Sequence, residues 1–165
     1  MTARRGFARP KNTAVIDALQ AALDAEHAAV YGYGVAGARL RGRGQSAALA
    51  AWNAHRARRD QVIAMLVARG ARPVAAADVY QLPFPVASAR AAIALAAAIE
   101  NGVTRAYLGI VGLPHPGMRT YGALAMQESA VRAATWRGAT VVFPGLPHSA
   151  MARQPVHATD RETSN

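Results

Sequence analysis

Glu26, Glu100, Glu128 and His55 stand where helical spacing calls for apolar side chains. Glu26 follows Leu19 and Leu23 and precedes Val30 and Tyr33. Glu100 lies between Ala96 and Val103, Glu128 between Leu124 and Val131, and His55 follows Leu49 and Trp52. A carboxylate carried from water into a helix interface needs a cation beside it. Two kinds of cation answer that need. Three glutamates and an imidazole offer oxygen and nitrogen ligands suited to iron or manganese. Arginine guanidinium groups could instead neutralise the same acids through bidentate hydrogen bonds, and Arg56, Arg59 and Arg132 lie close by in sequence. The spacing predicts Arg59 on the seam of its helix, with Asp60 just off it. His27 is expected to face a neighbouring groove, and Tyr33 and Tyr107 to lie on seams where their hydroxyls can donate to the acids. No residue is assigned a catalytic role.

Four helical segments must position these groups. The first runs from an N-cap at Thr13 to about Leu40, where RGRG ends it, with the seam Ile16, Leu19, Leu23, Glu26, Val30, Tyr33, Gly37 and Leu40. The second follows Ser46 and ends near Gly70; its seam reads Leu49, Trp52, His55 or Arg56, Arg59, Val62 or Ile63, and Leu66. The third follows Ser88 with the seam Ile93, Ala96, Glu100, Val103, Tyr107 and Ile110. The fourth runs from about Met118 to Val142 with the seam Tyr121, Leu124, Glu128, Val131 and Thr135. Gly32, Gly34 and Gly37 suggest close approach of another helix, within the molecule or across a dimer contact.

Between the second and third helices, ARPVAAADVYQLPFPVAS carries three prolines and no helical period. An extended stretch of this length, at roughly 3.3 Å per residue, outreaches a helix of about 24 residues rising about 36 Å. It is a candidate crossover joining two parallel helices. LPHPG, by contrast, forces a reversal between the third and fourth. The expected fold is all-α: two antiparallel hairpins joined by one long crossover, as in ferritin-like four-helix bundles. The domain occupies residues 13–142, preceded by a basic, flexible stretch at 1–12 and followed by a mostly disordered tail at 143–165.

The sequence resembles the ferritin-like superfamily and, more narrowly, an actinobacterial ferritin-like domain family of unknown function. The stretches that carry the resemblance are AALDAEHAAVYGYGVAGARL, HRARRD, YQLPFPV, AAIENGVTRAYL and the WR late in the fourth helix. Di-iron members of the superfamily use one glutamate from each of two helices and a Glu-x-x-His pair from each of the others. The resemblance implies that Glu26 and Glu100 match the lone glutamates, Glu128 the acid of the fourth-helix pair and His55 the second-helix histidine. Trp52 stands where the other acid would be, and Val131 where the other histidine would be. The implied reading is a degenerate bundle with an internal Glu/His/Arg layer in place of a complete metal site and no cofactor. The alternative is an iron- or manganese-binding oxidoreductase or metal-handling protein.

Composition narrows the setting. The chain has 165 residues, 52% of them hydrophobic, and no cysteine, which excludes disulfides and thiolate metal sites. The formal net charge is +10. A basic balance permits nucleic-acid association, an alternative resting on arginines such as Arg4, Arg5, Arg9, Arg153 and Arg161 in the tails. No apolar run reaches membrane-spanning length. A cytoplasmic homodimer is the expectation.

Overall fold

The computed structural model describes residues 11–138. Among them are four helices and no strand: α1 (Lys11–Arg39), α2 (Gly42–Val67), α3 (Ala89–Val111) and α4 (Pro116–Arg137). Several boundaries differ from expectation. α1 is already helical at Lys11, ahead of Thr13. α2 begins inside RGRG, after an extended Arg41 that makes no side-chain cap, so Ser46 lies within the helix and donates to the Gly42 carbonyl. Only Leu40 and Arg41 separate α1 from α2, and Gly42 takes φ +55, a conformation suited to glycine, to make so tight a turn. α4 stops at Gly138, whose φ of 70 gives the left-handed C-cap. The proposed extension to Val142 and the tail at 143–165 fall outside the described residues.

Two other termini follow from local chemistry. Ser88 caps α3 by accepting from the Ala91 amide, as its position in the sequence suggests. His115, exposed at the N-cap of α4, accepts from the Met118 amide through its Nδ1, with Pro116 as the first residue of the helix.

α1 packs against α2 and α3, and α3 against α4. Contacts fix the directions. Gly37 faces Ala48 and Glu26 meets His55, so α1 and α2 are antiparallel. Gly32 faces Ile99 while Gly109 faces Ala18, so α1 and α3 are antiparallel as well. α2 and α3 therefore run parallel, and the segment between them travels back along α1. Gln20 clamps its start, donating to the Arg72 carbonyl at 2.7 Å and accepting from the Val74 amide at 2.8 Å. Tyr80 then meets Tyr31, and Val86 is buried with Leu40 and Tyr33.

Of the three glycines on α1, Gly32 sits against Ile99, where a Cβ would fall 2.6 Å from the Ile99 Cδ1, and Gly37 faces Ala48. Their close approach is thus within the molecule, whereas Gly34 has nothing within 4 Å.

The interior has two apolar clusters. One gathers Leu19, Leu23, Val62, Leu66 and Ile110; the other gathers Tyr33, Leu40, Ala48, Val86 and Leu95. The fully buried Glu26, His55 and Glu100 lie with them in the core.

Candidate functional site: a buried Glu–His–Glu bridge

α1, α2 and α3 each contribute one polar side chain to the centre, and all three are fully buried. His55 Nδ1 lies 2.7 Å from Glu26 Oε2, and its Nε2 lies 3.1 Å from Glu100 Oε1. Carboxylate oxygens only accept, so both ring nitrogens donate when His55 is an imidazolium. Burial alone pushes the imidazolium toward deprotonation, but the hydrogen bonds to Glu100 and Glu26 and their charges outweigh it, leaving its pKa raised. Burial likewise pushes the Glu100 carboxyl up, and is overcome by His55 and then Arg132, so Glu100 is held below its ordinary value.

Two tyrosines complete the bridge. Tyr33 of α1 donates to Glu100 Oε1 at 2.7 Å, and Tyr107 of α3 donates to Glu26 Oε1 at 2.9 Å. Burial first, and then the neighbouring glutamate charge, pushes each phenol far above its usual range. They remain neutral donors. Trp136 Nε1 donates in turn to the Tyr33 hydroxyl at 2.9 Å, and the Tyr33 ring stacks on His55.

The guanidinium groups come from α2 and α4. Arg132 Nε donates to Glu100 Oε1 at 2.7 Å and its Nη2 donates to Ser129 Oγ at 3.2 Å. Arg58 is buried and donates to Glu128; its guanidinium carbon lies 6.0 Å from the Tyr107 ring centroid. Burial disfavours the Arg58 charge, and the charges of Glu26 and Glu128, with the hydrogen bond to Glu128, more than offset that, so its pKa is raised. Three carboxylates, Glu26, Glu100 and Glu128, thus stand against three cations, His55, Arg58 and Arg132.

Several residues singled out in the sequence lie elsewhere. Arg59 points away from the bridge and pairs with Asp60, its exposed neighbour. Arg58 holds the inward place because the buried edge of α2 reads Ala48, Ala51, His55, Arg58, Val62 and Leu66. Arg56 lies over the Trp52 ring at 4.5 Å, and His27 meets the Val74 carbonyl of the crossover at 3.3 Å. Neither touches the acids. Glu128 is on the rim, its side chain 55% exposed. On α4 the seam is displaced by one or two positions: Met118, Gly122, Ala125, Ser129 and Ala133 are buried, while Leu124 and Val131 are exposed. Alanine explains the slip. Where small residues let helices approach, the bulky residues cease to mark the inner face.

Sequence reading missed Arg58, Ser129 and Trp136. One signal could have found the first two. Glu26 and Glu100, Tyr33 and Tyr107, and Arg58 and Arg132 are each 74 positions apart (100 − 26, 107 − 33, 132 − 58). The same step carries His55 to Ser129 and Ala51 to Ala125. Each hairpin therefore supplies a glutamate, a tyrosine and an arginine in the same order, and each tyrosine crosses to the other hairpin's glutamate. His55 reaches the buried glutamate of each half.

The bridge fits a metal poorly. Arg58 and Arg132 already face the carboxylates with the positive charge a metal would bring, and Val131 points outward rather than toward them. Among the described residues, no group of three or more His, Asp or Glu side chains is placed to hold a metal ion.

The chain belongs to a family described as a domain of unknown function, DUF4439, whose profile matches residues 18–148. It is similar to a conserved hypothetical protein, Rv2844 from Mycobacterium tuberculosis, with 39% identity over 76% of this chain and 96% of that one. The TM-score to that crystal structure is 0.73. No curated protein matches. Among the described residues, no helix is long and apolar enough to cross a membrane.

Proposed function

We propose that this protein is a ferritin-like four-helix bundle whose inherited metal layer has become an ionic network, and that its role is binding or structural rather than metal-dependent catalysis. The observation that carries the reading is His55, which offers one nitrogen to Glu26 and the other to Glu100. In that arrangement the imidazolium supplies the positive charge that a metal would supply between the lone carboxylates of two helices. Supporting it, Arg58 and Arg132 bring the formal sum of the network to zero against Glu128 and the two buried acids. The antiparallel hairpins and the crossover along α1 fit the same ancestry. Homodimerisation belongs to this proposal too, with exposed Leu49 of α2 as available apolar surface.

Elemental analysis of the purified protein, alongside an anaerobic Fe(II) titration, tests the reading. No stoichiometric iron or manganese and no saturable Fe(II) uptake is expected. Iron or manganese retained in whole-number stoichiometry through chelation would replace it with the metal-handling alternative.

A further inference from the structure

Glu128 has no counterpart in the other hairpin, because the 74-position step leads back to Ala54. It is also the carboxylate of the set that solvent reaches; Glu26 and Glu100 are fully buried. Two guanidinium groups from different helices meet at its Oε2: Arg58 of α2 donates to it, and Arg132 Nη1 of α4 stands 3.8 Å away. Arg132 is held from behind by Glu100 and Ser129, and Arg58 is buried near the Tyr107 ring. Leu124 and Val131, four positions before and three after Glu128, are 55% and 59% exposed. They lie on the same strip of α4 as Glu128.

Fixed guanidinium groups recognise carboxylates by geometry as well as charge. Glu128 is the mobile partner, since rotation of a half-exposed side chain suffices to withdraw it. We propose that Arg58 and Arg132 form a carboxylate-binding site between α2 and α4 that Glu128 occupies in cis. An external carboxylate carrying apolar flanks displaces Glu128, takes the two guanidinium groups and packs on Leu124 and Val131. One carboxylate replaces another, so the charge sum of the network is preserved. The incoming group belongs to a small organic acid or to an acidic side chain of a partner polypeptide. The inference rests on the proposed ionic network in one respect, that arginines rather than a metal face the acids.

The test titrates chelator-treated wild-type protein and Glu128→Ala with sodium benzoate, with sodium chloride at matched ionic strength as the control, following backbone amide shifts. Removing the tethered competitor should tighten benzoate binding by about tenfold or more, because an intramolecular carboxylate acts at high effective concentration. Arg132→Gln in the Glu128→Ala background should abolish the gain. If that variant does not fold, Val131→Asp in the same background places a competing charge at the rim and should weaken binding instead. A short peptide with one glutamate between two leucines separates the sources: binding tighter than benzoate indicates a polypeptide partner, weaker binding a small acid, and both support the site. Equal benzoate affinity in wild type and Glu128→Ala, or a gain that survives both second substitutions, would overturn it. Metal retained by the purified protein would defeat the proposed function, while the titration of chelated protein would still decide this site.

Discussion

Tyr33 and Glu100 are joined across the α1–α3 interface by a 2.7 Å hydrogen bond, and the same interface carries its mirror, Tyr107 to Glu26 at 2.9 Å. In each helix the tyrosine follows its own glutamate by two helical turns yet serves the glutamate of the other. Such reciprocity fixes register, since sliding α1 against α3 by one turn would break both bonds and leave buried acceptors short of donors. The bridge is therefore a positional lock as well as a charge balance.

The lock makes unequal demands on its two tyrosines. Tyr107→Phe removes one donor from Glu26, a loss of about 1–3 kcal/mol. Tyr33→Phe removes a donor from Glu100 and also strands the Trp136 indole, whose Nε1 donates to the Tyr33 hydroxyl. Urea unfolding should rank Tyr33→Phe as the more damaging. Equal midpoints for the two variants would argue that the indole bond contributes nothing.

Among the described residues, His55 is the group whose hydrogen bonds reach both buried glutamates. His55→Ala leaves two acids without the cation between them, and breaking a buried ion pair typically costs about 3–5 kcal/mol. A matched loss in denaturant midpoint is expected, with Glu26→Gln and Glu100→Gln in the His55→Ala background restoring part of it. A single His55→Ala variant within about 1 kcal/mol of wild type would mean that the bridge is incidental to stability.

Adjacent arginines give a sharper contrast. Arg59 is paired on the surface with Asp60, and such exposed pairs contribute roughly 0–1 kcal/mol. Arg59→Ala should therefore shift the thermal midpoint little. Arg58→Ala should lower it substantially, because it removes a buried cation facing Glu26 and Glu128. The reverse order would place Arg59, and not Arg58, at the acids.

That contrast also marks the limit of what helical periodicity reveals. Helices α1 and α3 are largely legible because large side chains occupy the buried edge, Leu19, Leu23 and Tyr33 on one and Val103, Tyr107 and Ile110 on the other; at the start of α3, however, Leu95 is buried and Ile93, expected on the seam, is exposed. Glu26 and Glu100 could therefore be found from spacing, and Ser88 from its capping chemistry, while on α2 spacing leaves His55 and Arg56 as alternatives. α2 and α4 bury alanine, glycine and serine instead, at Ala48, Ala51, Gly122, Ala125 and Ser129. A search for bulky residues there selects Leu49, Leu124 and Val131, which face outward. The error of one position turned Arg59 inward and hid Arg58. Only pairing between hairpins carries the missing information, and Arg58 and Arg132 show it.

Stability against pH should display the network from both sides. Glu100 is held below its ordinary value of 4.5, so its contribution is complete above that value and is lost as pH falls through the folded-state value. His55 is shifted the other way. Its contribution is complete below its ordinary 6.5 and declines as pH rises from there through the raised folded-state value. Denaturant unfolding from pH 3 to pH 10, in steps of about one unit, should give a maximum between the two windows. In Glu100→Gln the acid arm attributed to Glu100 should disappear. The alkaline decline should also shrink, because His55 loses one of the two carboxylates that hold its proton. An alkaline arm unchanged by Glu100→Gln would show that Glu100 does not hold the His55 proton.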